Sequence, residues 1–360
     1  MAERKVLVAG ALGVVGRAVV ERLAARRDEW EVVALSRRGP DFDTPAHFVP
    51  VDLRDAEATR AALSTHADAS HLVYAALFEK PQLARGWSEP DHIETNRAML
   101  ANLLDAVTSP RLEHVTLLQG TKAYGAHLGQ PMALPARERD ARVEHPNFYF
   151  AQEDLLRERA LRTGYGWTVL RPQVVCGVAV GSAMNVVAGI GAYASLCRER
   201  GRPLVHPGHQ NLLTECTDAR LLASAVEWAS TRPRASGEIY NVCNGDVLCW
   251  RDAWPRIAAH FQLEVGEPAP LRLAEVMPAE ESLWRELARR EGLRVESLDA
   301  LIGLSWQYAD MIWANPVSAD RPGLVSSIKL REHGFSDCVD SEDALIELFE
   351  AMQAHRYLPR

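Results

Sequence analysis

At 360 residues, with 47% hydrophobic side chains, the chain is long enough for one large α/β unit or for a nucleotide domain carrying a second lobe. Forty Lys and Arg against 48 Asp and Glu leave a formal charge of −8, spread without a block of one sign, which argues against nucleic acid as a partner. The six cysteines (Cys176, Cys197, Cys216, Cys243, Cys249, Cys338) include no CxxC and no Cys/His cluster at zinc spacing, so thiols in a reducing cytoplasm are expected, with neither a disulfide framework nor a metal site.

The first predicted element is the strand KVLVA, followed by GALGVVG and an amphipathic helix to about Arg27. No signal-peptide pattern precedes it, and export is not expected. Strand, glycine turn and helix in this order suit a dinucleotide. Gly10 permits the tight turn, Gly13 admits backbone to the pyrophosphate, Gly16 lets the helix pack on the strand, and Val14 and Val15 open a helix whose N-terminus meets the phosphates. The next strand, EVVALS, ends in Ser36, Arg37 and Arg38, where an NAD-specific site would carry an acid for the ribose hydroxyls. An acid repels a 2′-phosphate, whereas two guanidinium groups hold it through charge-assisted bonds. The expected cofactor is therefore NADPH, with NADH as the alternative.

HFVPV, a helix near 55 to 64, HLVYA, a helix near 92 to 108, HVTLLQ, a helix from about 149 and WTVLR continue the alternation. This is the rhythm of a Rossmann-type, doubly wound parallel sheet with helices on both faces. Position at the strand ends adds Asp52 and Leu53 beside the adenine, Ala75 and Ala76 where backbone passes the cofactor, and Gln119, Pro172, Val174 and Val175 further along.

From Pro172 to Cys197 no residue is charged, a length that reaches across a bilayer. Gln173, Ser182, Asn185 and several glycines point instead to a buried strand, a loop and a core helix, and no membrane partner is expected. A helix after Thr217 and a strand near EIYNVCN resume the rhythm. From Trp250 to about Asp340 the pattern is helical, with Trp250, Trp254, Trp284, Trp306 and Trp313 supplying apolar area. The expected organisation is a dinucleotide-binding domain over residues 1–178, its sheet completed by about 201–248, and a mainly helical substrate lobe from 179–200 and 249–360.

A carbonyl-type substrate beside a hydride carrier needs a group that stabilises negative charge on oxygen. The usual Tyr-x-x-x-Lys device is broken here, because Tyr149 is followed four residues on by Glu153. A lysine stands instead at Lys122, in LQGTKAYG at the end of the fifth strand, while Tyr149 lies in PNFYFAQED at the next helix start. With GALGVVG, Arg37–Arg38, Arg171–Pro172, NVCNGD at 241 to 246 and EHGF at 332 to 335, the chain resembles the progesterone 5β-reductase and iridoid synthase-like enzymes. These are extended short-chain dehydrogenases/reductases that reduce enones with NADPH and take their lysine from the strand-five motif.

The resemblance implies that Tyr149 and Lys122 are catalytic. Tyr149 would hydrogen-bond the carbonyl oxygen of an α,β-unsaturated ketone or aldehyde, and Lys122 would favour the ionised side of the tyrosine's titration. The chain departs from the plant members beside the nicotinamide, at Gln119 to Tyr124 and at Gln173–Val174, and Leu77 stands in place of a tryptophan. Leu77, Phe78, Phe148, Val174, Met184, Trp306 and Tyr308 are the candidates for an apolar wall around a small hydrophobic enone. The competing readings are a carbonyl reductase or sugar-nucleotide epimerase or dehydratase of the same superfamily, and a non-catalytic NADPH-sensing regulator. A homodimer is common in this superfamily, and nothing in the sequence marks an interface.

Overall fold

The computed structural model describes residues 2–130, 132–209, 211–313 and 322–360. Its centre is a seven-stranded sheet of β1 (Arg4–Ala9), β2 (Trp30–Ser36), β3 (His47–Pro50), β4 (His71–Tyr74), β5 (His114–Leu118), β6 (Gly166–Pro172) and β7 (Glu238–Val242), in the order β7-β6-β5-β4-β1-β2-β3. Every neighbouring pair is parallel, with Val6 opposite Val32 and Val8 opposite Val73. The strands do not alternate polar and apolar because both faces are covered; all four residues of β4 are buried.

One face packs against α1 (Val14–Ala24), and the other against α2 (Ala56–Leu63), α3 (Pro90–Val107) and α4 (Phe148–Thr163). The strand order reverses between β1 and β4, which opens a crevice at the carboxyl ends of the strands.

The charge-free stretch divides into the two-residue strand Val175–Cys176, a loop, and α5 (Val186–Glu199), whose residues Val186 to Cys197 are all buried. No helix among the described residues is long and apolar enough to cross a membrane. After α6 (Ala219–Thr231), which covers the α1 face of the sheet, come α7 (Trp250–His260), α8 (Glu281–Glu291), α9 (Ser305–Trp313) and α10 (Ser341–Ala354). Together with α5 these form a second core around the buried Trp250, Trp254, Trp284 and Trp313. Trp250 and Trp254 meet Trp313 edge-on at 5.1 and 5.9 Å between ring centres, a geometry that aromatic quadrupoles favour.

The chain end returns to the nucleotide half. Tyr357 donates its hydroxyl to the Asp41 carbonyl at 2.9 Å, and the fully buried Arg17 of α1 donates to the same hydroxyl at 3.1 Å while its guanidinium covers Phe42. These bonds tie down the loop that leaves β2, the segment that carries Arg37 and Arg38.

Candidate active site

A cleft of about 900 Å3 follows the carboxyl ends of the strands and continues under the helical lobe. At one end the wall is mostly backbone. Gly10 has φ 78°, and a Cβ there would lie 2.6 Å from the Ala75 carbonyl oxygen; one on Gly16 would lie 2.1 Å from the Gly10 oxygen. A side chain fits at neither position. Gly13 caps α1 with no side-chain hydrogen bond, and the first turn of α1 contains no acid. Gly13, Val14 and Val15 line the cleft, so the uncapped amides and the positive end of α1 form an anion cradle that fits a dinucleotide's diphosphate. Gly16 acts behind that wall, in the packing of α1.

Ser36, Arg37 and Arg38 line the next part. The Ser36 hydroxyl accepts from the Arg38 amide at 3.2 Å, and Arg38 Nη2 reaches the Val180 carbonyl at 3.3 Å, joining the end of β2 to the lobe. Asp52 and Leu53 lie on the same wall. The Arg54 guanidinium is bonded to the Asp52 carboxylate at 2.5 Å and holds its pKa below the ordinary carboxylate value. Ala75, Ala76, Gln119, Pro172, Val174 and Val175 continue the lining toward the far end.

At that far end the wall is made of side chains. Lys122 sits on the turn Thr121–Tyr124 after β5, and Tyr149 in the first turn of α4. Asn147 joins them: its Oδ1 accepts from the Tyr149 amide at 3.0 Å as the N-cap of α4, and its Nδ2 donates to the Lys122 carbonyl at 2.8 Å. A Cβ on Gly120 would come within 3.3 Å of the Tyr149 hydroxyl, so glycine leaves room for the phenol. Among the described residues that hydroxyl has no hydrogen-bond partner. Burial pushes its pKa well above the usual tyrosine value, with Glu79 and Tyr308 adding to the effect.

This corrects the expectation that Lys122 would favour an ionised tyrosine. The Lys122 ammonium lies 3.8 Å from a Glu79 carboxylate oxygen and 3.9 Å from the centre of the Trp87 ring, against 5.3 Å from the centre of the Tyr149 ring. Its charge is directed to Glu79, and burial favours the protonated phenol, the form that donates. Burial lowers the Lys122 pKa to about 8, with Glu79 working in the opposite direction.

Glu153, at the position of the missing lysine, is turned away from the cleft. It accepts from Arg142, Arg157 and Arg171 at 2.9, 2.8 and 2.9 Å. Arg171 also donates to the Gln119 side chain at 3.1 Å, and Gln119 donates to the Tyr149 carbonyl at 2.8 Å. The broken motif has thus become a buried ionic support beneath α4.

Of the expected substrate wall, Leu77, Phe78, Phe148, Val174, Met184 and Tyr308 line the cleft. Trp306 does not; it is buried in the lobe, where a Cβ on Gly189 would meet its ring at 3.7 Å. The reason is helical geometry: two residues on α9 are about 200° apart, so only Tyr308 of the pair faces inward. Glu79, Trp87 and His127 line the cleft without having been expected there. Both Glu79 oxygens accept from the Trp87 indole, at 3.0 and 2.9 Å, and one lies 3.1 Å from His92 Nε2. The one available signal was the position of Glu79 just beyond the carboxyl end of β4. Burial, the Lys122 charge and His145 push the His127 pKa down to about 4.

The PRISE-like Rossmann-fold domain matches residues 86–315. The chain belongs to this PRISE-like family. Its relatives include (S)-8-oxocitronellyl enol synthase of Camptotheca acuminata, 30% identical over 98% of this chain and 93% of that protein, and 3-oxo-Delta(4,5)-steroid 5-beta-reductase of Arabidopsis thaliana, 30% identical over 99% and 94%. Similar solved structures include the UDP-glucose 4-epimerases of Thermotoga maritima with UDP-glucose (TM-score 0.69, 16% identity, 97% of this chain and 99% of that chain) and of Thermus thermophilus with NAD (0.62, 20%, 96% and 99%). At such identity they show that the PRISE-like chain shares their fold. The matched segment includes Trp87, Lys122 and Tyr149; Glu79 and the glycine turn lie before it.

Proposed function

We propose that the protein reduces the carbon–carbon double bond of a hydrophobic α,β-unsaturated carbonyl compound, with NADPH as the hydride donor. The observation that carries this reading is the Tyr149 hydroxyl, which has no hydrogen-bond partner among the described residues, lining the same cleft as the Lys122 ammonium at the end of a dinucleotide cradle. The full-length relatives named as an enol synthase and a 5-beta-reductase support it.

When bound, the reduced nicotinamide supplies the hydride that reaches the β-carbon. Tyr149 donates a hydrogen bond to the substrate carbonyl oxygen, and that bond strengthens as negative charge develops on the enolate oxygen; a proton from solvent at the α-carbon then gives the saturated carbonyl compound. Lys122 adds a positive charge behind the phenol. Leu77, Phe78, Phe148 and Met184 exclude water, which strengthens both interactions. Arg37 and Arg38 would hold a 2′-phosphate, while the α1 cradle serves NADH and NADPH alike. A cytoplasmic location is part of the proposal and agrees with the absence of any disulfide among the described residues.

The test is product analysis after incubation with NADPH, or NADH in parallel, and cyclohexenone or progesterone. A saturated ketone formed faster with NADPH is the expected result. An allylic alcohol would overturn the reading in favour of carbonyl reduction.

A further inference from the structure

We propose that Glu79 is the counter-ion that keeps Lys122 an ammonium at the reaction end of the cleft and, by the same carboxylate, fixes the Trp87 indole over it. The proposal rests on the reading of Lys122 as part of the enone-reducing site.

Lys122 is buried, and a buried ammonium without a counter-charge gives up its proton. Among the described residues Glu79 is the carboxylate within ion-pair distance, 3.8 Å away, and its side chain is itself buried. Its oxygens are not free to wander: the Trp87 N–H binds both, and His92, on α3, holds one from behind. Trp87 in turn lies over the ammonium, Phe148 and Tyr149 flank it with ring centres 5.4 and 5.3 Å away, and Met184 Sδ stands at 3.9 Å. One carboxylate therefore sets both the charge and the cover of the lysine.

The other titratable groups around this site do not replace it. His127 is pushed toward the neutral form, His145 stands beyond it, and Tyr149 and Tyr308 are phenols raised by burial. A purely structural Glu79 would anchor Trp87 and His92 alone. That role survives in Glu79→Gln, whose amide oxygen still accepts from the indole, so the variant removes the charge and keeps the anchor.

The chain has four lysines, Lys5, Lys80, Lys122 and Lys329, so carbon-13 labelling at lysine Cε gives a spectrum in which each can be followed, with Lys122→Arg assigning the resonance. The wild-type Lys122 midpoint is expected below that of the other three. In E79Q it should fall further, by about one to three pH units. The alkaline limb of kcat/KM for enone reduction should move with it, because the ammonium is lost as pH rises through that midpoint. A Lys122 midpoint that is the same in E79Q and wild type overturns the proposal. If E79Q is too unstable to titrate, a denaturant double-mutant cycle with Lys122→Met decides: non-additive losses support the pair, and additive losses refute it. A midpoint that moves in a protein with no enone reductase activity leaves the counter-ion standing and removes the proposed function instead.

Discussion

The two ends of the cleft are built by different means. At the diphosphate end, one continuous segment from β1 into α1 does the work, and it does so with backbone: two positions where no side chain fits, and a helix end without a cap. At the reaction end, Glu79, Trp87, Lys122, Tyr149 and Tyr308 arrive from segments separated by up to 229 residues of chain, and Glu79 contacts both Trp87 and Lys122. A local pattern specifies the first end, whereas tertiary packing specifies the second.

The largest test of that contrast is Glu153→Lys, which writes Tyr-x-x-x-Lys into the sequence. The new cation would stand among Arg142, Arg157 and Arg171 with the carboxylate they share removed, although Arg142 keeps Asp154. Urea unfolding should show a loss of about 3–5 kcal/mol, the cost of breaking a buried ion pair, with no gain in activity. Wild-type stability in this variant would mean that Glu153 is not the support described.

Tyr149→Phe comes next. Loss of one donor to a developing oxyanion should lower kcat by about 10²–10³-fold, and the Kd for NADPH should stay near wild type because the cradle lies elsewhere. At the other end, Arg37→Ala with Arg38→Ala should raise the Kd for NADPH by roughly 10–100-fold, the equivalent of one or two charged hydrogen bonds, and leave NADH unchanged. Equal weakening of both nucleotides, read by fluorescence titration, would place the 2′-phosphate somewhere else. The smallest effect is expected of Asn147→Ala. It removes the cap of α4 and the tie to Lys122, costing about 1 kcal/mol in a thermal melt and lowering kcat more than it alters Kd.

The same contrast explains what could be read before the structure. The sheet was legible because its strands are apolar throughout and alternate with amphipathic helices. The cradle was legible because three glycines at fixed spacing follow a strand. Lys122 and Tyr149 stood out only through their motifs, and the ionisation expected of the phenol failed because burial and the placement of Glu79 depend on tertiary contacts. Glu79 and Trp87 belong to the stretch between β4 and α3, where no periodicity reports which way a side chain points. Trp306 was misplaced for a related reason: an aromatic beside Tyr308 looks equally suited to a pocket until the helix phase assigns one to the cleft and the other to the core.

The most direct measurement of the central claim is the fate of deuterium from NADPH labelled at nicotinamide C4, followed by NMR of the product from a simple enone. The account predicts one deuterium on the former β-carbon of a saturated ketone, and its loss in Tyr149→Phe. Deuterium on the former carbonyl carbon, in an alcohol, would contradict it.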